Sequence, residues 1–201
     1  AITISGALSV DGGTIKLDGN YPTGTDNVAL GNEALDSGSL SGGNNTAIGD
    51  NALSANTSGS NNTAIGQAAL CTNLTGGSNV AVGRCTLKLN TASNNVAVGY
   101  HSMCTTSSGT ENTAIGMSSL KSNTTADFNT ALGNQTLCKN TTGTNNTAVG
   151  ACALEANTTA SFNTAVGKSA LAVNTTGTSN TGVGALSLDA ATSGSYNTGT
   201  G

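Results

Sequence analysis

Apolar and polar positions in this chain follow one long beat. The five-residue unit Asn-(Thr/Val)-(Ala/Gly)-(Ile/Val/Leu)-Gly recurs eleven times. Its Asn falls at Asn27, Asn45, Asn62, Asn79, Asn95, Asn112, Asn129, Asn146, Asn163, Asn180 and Asn197. The steps are 18, 17, 17, 16 and then 17 six times. Only the last copy departs in its hydrophobic slot, where Thr200 stands. Four residues after each Gly but the last comes Leu35, Leu53, Leu70, Leu87, Met103, Leu120, Leu137, Leu154, Leu171 or Leu188. Three residues later there is commonly a second Asn: Asn56, Asn73, Asn90, Asn123, Asn140, Asn157 and Asn174. A Thr-rich stretch follows, often closed by Gly.

A period of 17 residues is too short for a pair of helices, which needs more than about 30. The unit is rich in Thr, Val, Asn and Gly, which favour strands and turns. In Thr-Ala-Ile the first and third side chains share one face and Ala takes the other. Two short strands and two turns fit one unit. The expected fold is all-β: a parallel β-solenoid or β-roll of about eleven 17-residue coils.

Stacked coils rise about 4.8 Å each, so like residues align in columns. Asn62, Ile65, Gly66 and Leu70 in one coil, and Asn146, Val149, Gly150 and Leu154 in another, are the expected rungs of structural ladders. Leu and Ile/Val would form apolar columns, and Asn columns would form amide ladders. The Ala column implies a close approach, across a thin coil or onto a neighbouring chain. The Gly column implies positive φ or a contact too tight for Cβ. The Thr column shares its face with Ile/Val, which implies burial and weakens an ice-binding reading. One Leu and one Ile/Val per coil is a small core. Self-association is therefore expected, as an intertwined or side-by-side homotrimer.

Residues 1–25 depart from the beat. Ile2/Ile4, Leu8/Val10 and Ile15/Leu17 alternate around Asp11-Gly12-Gly13, a hairpin signal. They read as a β cap or a linker to an upstream domain. Residues 26–201 read as the repeat array, expected to continue downstream, because a solenoid ending in mid-coil leaves an open edge.

Composition narrows the function. Charged residues are 8% of the chain, aromatic residues 2%, and the formal charge is −4. Without a basic patch, nucleic acid is an unexpected partner. No run of about 20 apolar residues is present, so membrane insertion is not expected. The single histidine, His101, lies in a variable polar column and reads as a solvated surface residue. The ten acidic residues neither pair at a fixed offset nor recur once per coil. This argues against a carboxylate dyad and against a calcium-binding β-roll. No enzyme activity, cofactor or metal is expected. Five cysteines remain. Cys71 and Cys138 lie five residues after a repeat Gly, and Cys85 and Cys152 lie two after the next one. Each pair is 14 residues apart. The pairs read either as inter-coil disulfides, as inter-chain bonds, or as free thiols of a reducing compartment. Cys104 shares the column of Cys71 and has no cysteine at that offset.

The Asn-x-Ala-Ile-Gly unit resembles the head repeats of trimeric autotransporter adhesins of the YadA type, whose repeat is shorter. The 17-residue form, as in Asn145-Asn146-Thr147-Ala148-Val149-Gly150 with Ala153-Leu154 and Asn157-Thr158-Thr159, is similar to repeats in phage tail-fibre and other virion proteins, marine cyanophages included. The segment Gly12–Asn20 resembles the linker that introduces such arrays. The resemblance implies a left-handed trimeric β-roll at the virion surface. There it would be a tail or capsid fibre segment positioning a host-recognition tip, with other virion proteins as partners. The alternative it implies is an adhesin head on a bacterial cell surface, binding a receptor or glycan.

Overall fold

The computed structural model describes residues 25–201, and the cap or linker expected for 1–25 lies outside them except for Thr25. The array is one parallel β-solenoid. Its strands are β1 (Val28–Leu30), β2 (Thr46–Ile48), β3 (Thr63–Ile65), β4 (Val80–Val82), β5 (Val96–Val98), β6 (Thr113–Ile115), β7 (Thr130–Leu132), β8 (Thr147–Val149), β9 (Thr164–Val166), β10 (Thr181–Val183) and β11 (Thr198–Thr200). They form a single eleven-stranded parallel sheet in chain order. Pairing is strictly in register, Thr130 on Thr147 and Ala131 on Ala148, and it survives the 16-residue step, with Val80 on Val96. Ten rises of about 4.8 Å make a rod roughly 48 Å long. Among the described residues no helix is long and apolar enough to cross a membrane.

Each coil has one strand rather than the two expected. The far side of the coil is also hydrogen-bonded from coil to coil, but not in β geometry. Leu137 donates its N–H to Ala153 O at 3.1 Å, and Cys152 donates to Asn134 O at 3.0 Å. There the backbone turns left-handed at two residues per coil, such as Gln135 (φ 53°) and Leu137 (φ 50°). That curvature closes the coil and turns Leu inward. A second strand would have stayed extended and left a wider, emptier lumen.

The core is a double column. Ala47, Ala64, Ala81, Ala97, Ala114, Ala131, Ala148 and Ala165 are fully buried, as are Leu53, Leu70, Leu87, Met103, Leu120, Leu137, Leu154 and Leu171. The two columns meet across a thin coil. A Cβ on Gly199, which stands in the Ala column, would lie 2.7 Å from Leu188 Cγ. Where Ser replaces Ala beside Leu, its hydroxyl reaches the opposite strand: Ser119 Oγ donates to Ala131 O at 3.0 Å. The Ile/Val column is therefore outside, correcting the expectation that it joins Leu in the core. Ile65 is 37% exposed and Ile115 43%. The lumen has room for Ala against Leu and no more. Strand alternation then forces Thr and Ile outward.

Asn forms the ladder expected of it. Asn129 Oδ1 accepts the N–H of Asn146 at 3.0 Å and its Nδ2 at 3.1 Å, while Asn129 Nδ2 donates to Asn112 Oδ1 and to Gly143 O. The backbone link repeats at every step from Asn27 to Asn197. The second Asn column is shorter. Asn140 Nδ2 donates to Asn123 Oδ1 at 3.2 Å and to Gly143 O at 2.9 Å. This column lapses where Thr106 and Ala191 replace Asn, leaving Thr106 Oγ1 and Asn174 Oδ1 buried without partners. The Gly column has both properties inferred for it. Gly66 has φ +131°, and a Cβ there would lie 2.6 Å from the carbonyl carbon of Gly83.

Candidate interaction surface

Three surfaces carry what chemistry the chain has. The first is the outer face of the sheet. Its columns are Thr/Val and Ile/Leu/Val, and both are half-buried to exposed along all eleven strands. The strand amides are consumed in the sheet, so only side chains are offered here. The face is uncharged and half apolar.

The second surface borders the first. One residue before each repeat Asn the backbone is left-handed, and the usual occupants are Asn44, Asn61, Asn94 and Asn145, Ser78 and Ser179, or the acidic Asp26 and Glu111. Asn tolerates this conformation because its short side chain bonds locally. In three coils the position instead holds Phe128 (φ 58°), Phe162 (φ 63°) and Tyr196 (φ 60°). They are 52%, 63% and 83% exposed. All three fall in one column, 34 residues apart, hence two coils apart. Exposed and buried positions alternate from here into the strand: Phe128 out, Asn129 in, Thr130 out, Ala131 in. The aromatic row thus stands at the margin of the outer face. The sequence reading missed it. A 34-residue double period was the available signal, with Thr124-Thr125-Ala126-Asp127-Phe128 and Thr158-Thr159-Ala160-Ser161-Phe162 alternating with Thr141-Thr142-Gly143-Thr144-Asn145.

The third surface is the turn wall, with the cysteines. All five are free thiols, and no disulfide links Cys71 to Cys85 or Cys138 to Cys152. Cys85 is buried, as is Ala68 in the coil before it, in a column whose other members are mostly polar. The column of Cys71 reads Cys71, Lys88, Cys104, Lys121, Cys138, Glu155, alternating thiol and cation over five coils. Burial pushes the Cys71 thiol up against the opposing pull of Lys88, and burial likewise raises Cys104 and Cys138. These are protonated thiols, poor nucleophiles at neutral pH.

His101 is half-buried rather than solvated. Its ring stacks on Tyr100 at 4.0 Å between centroids. Burial, then Lys121, Arg84 and Lys88, lower its pKa. Arg84 packs over Tyr100 and donates to Gln67 Oε1 at 3.0 Å and to the Tyr100 hydroxyl at 3.3 Å. Among the described residues no carboxylate hydrogen-bonds His101, so the cluster there lacks the arrangement of a catalytic triad. Among the described residues, no group of three or more His, Cys, Asp or Glu is placed to hold a metal ion.

The rungs named from the sequence fall where the repeat puts them. Asn62, Gly66 and Leu70, with Asn146, Gly150 and Leu154, line the ladders and lumen, while Ile65 and Val149 face outward. No family model, no curated protein and no solved structure matches the chain.

Proposed function

We propose that this chain is a structural segment of a virion fibre, of the tail or the capsid, that assembles as a homotrimer and holds a host-recognition tip away from the particle. The observation that carries the reading is the outer face of the solenoid. An eleven-coil ladder leaves two continuous columns, Thr/Val and Ile/Leu/Val, half-exposed along a rod of about 48 Å. An uninterrupted half-apolar strip of that length is the surface a second and third copy would cover. Inter-coil hydrogen bonds on both walls suit the rod to bear load without bending. The resemblance of the repeat to virion fibre proteins supplies the setting.

Light scattering on the purified segment, with and without reductant, tests the reading. A threefold mass indifferent to reductant is expected. A charge placed on the strip, Ile115→Glu with Val98→Glu, should yield a folded monomer, as judged by an unchanged circular dichroism spectrum. A wild-type monomer would overturn the trimer.

A further inference from the structure

We infer that the row Phe128, Phe162 and Tyr196 is a binding platform for an extended, uncharged, β-1,4-linked polysaccharide. The argument begins with cost. A bulky residue in the left-handed region is disfavoured, and the same column elsewhere holds a polar residue: Asn or Ser in six coils, Asp26 and Glu111 in two. An aromatic ring left 52–83% exposed also gains little from burial. Two unfavourable choices, made three times in one column, call for a return outside the fold.

Spacing and charge identify the ligand. The rings recur every second coil, about 9.6 Å apart at 4.8 Å per coil. In an extended β-1,4-linked chain successive sugars are flipped, so the same ring face recurs at every second sugar, at closely the same interval. Axial C–H groups of every second sugar could then lie on successive rings, the chain running parallel to the rod. Asn145 and Ser179 stand between the rings and offer hydrogen bonds to the intervening sugars. From Phe128 to Tyr196 the column carries no charge at neutral pH, and one coil below Phe128 it holds Glu111; this suits a neutral polymer and disfavours an anionic one. The inference does not rest on the fibre reading.

The test is calorimetric titration of the protein, in whatever oligomeric state it adopts, with cellohexaose and chitohexaose. Cellobiose, chitobiose and the α-linked maltohexaose serve as comparisons. At least one β-1,4 hexasaccharide should bind saturably. Its disaccharide should bind at least tenfold more weakly, and maltohexaose should not bind. Phe128→Asn, Phe162→Asn and Tyr196→Asn should each weaken binding roughly tenfold, the usual scale for a central aromatic contact. All three together should abolish binding while leaving the melting temperature equal or higher, because Asn suits the backbone better. No binding of either hexasaccharide, equal binding of maltohexaose, or binding that survives the triple substitution overturns the inference. So does a triple variant whose mass drops to that of a monomer, which would make the row a contact between copies.

Discussion

On the strand wall every coil presents the same Asn and the same Gly, with Ala inward and only small variation outward. On the turn wall opposite, Leu alone persists, and the residue after it runs Asp36, Ser54, Cys71, Lys88, Cys104, Lys121, Cys138, Glu155. Both walls are hydrogen-bonded from coil to coil, so pairing does not explain the contrast. The difference is where side chains do the backbone's work. On the strand wall Asn Oδ1 accepts a main-chain N–H of the next coil, and Gly lets carbonyls approach where a Cβ would clash. On the turn wall main chain bonds to main chain directly, and side chains such as Asn140 and Thr136 add bonds to carbonyls without replacing that pairing. Uniformity in a repeat therefore tracks backbone duty rather than burial alone.

Substitutions can break that contrast, beginning with the largest expected effect. Asn129→Ala strips a buried amide of its bonds to Asn112, Gly143 and Asn146. At about 1–3 kcal/mol for each buried group left unpaired, a loss of about 4 kcal/mol is expected from urea unfolding. A loss under about 1 kcal/mol would show that water replaces the ladder. Gly150→Ala sets a Cβ about 2.6 Å from Gly167 C at φ +125°, and about 3 kcal/mol is expected from the same measurement. Leu137→Ala tests the one constant of the turn wall, at about 3 kcal/mol. The exposed residue after Leu120 offers the opposite control: Lys121→Ser should change stability by no more than about 0.5 kcal/mol.

The smallest effect concerns pH. Burial raises the Cys138 thiol, with Glu155 adding to the rise and Lys121 and Lys139 opposing it. Folding thus favours the protonated thiol. Its contribution is full below the thiol pKa of the unfolded chain and is lost as pH rises through the folded value. Wild type should therefore lose stability, relative to Cys138→Ser, as pH climbs above the ordinary thiol range. Parallel urea midpoints for the two proteins would contradict this.

Much of the architecture could be read from one line of residues, because a column in the solid is a period in the sequence. The parallel stacking, the Asn ladder and the double reason for Gly all follow from position 17 landing over position 0. The aromatic row was legible too, but only at twice that period, where it is three residues among 201. The left-handed Leu positions gave no signal. Leu does not ordinarily adopt that conformation, and only closing the coil makes it do so.

The chain's own sequence determined that there would be coils, how many residues each takes, and which residues align. Tertiary structure decided which way the strand faces. Thr-Ala-Ile alternates equally well either way round, and hydrophobicity alone would put Ile inside. The lumen is too narrow for Ile opposite Leu, so Ala goes in, and the apolar strip is left on the outside.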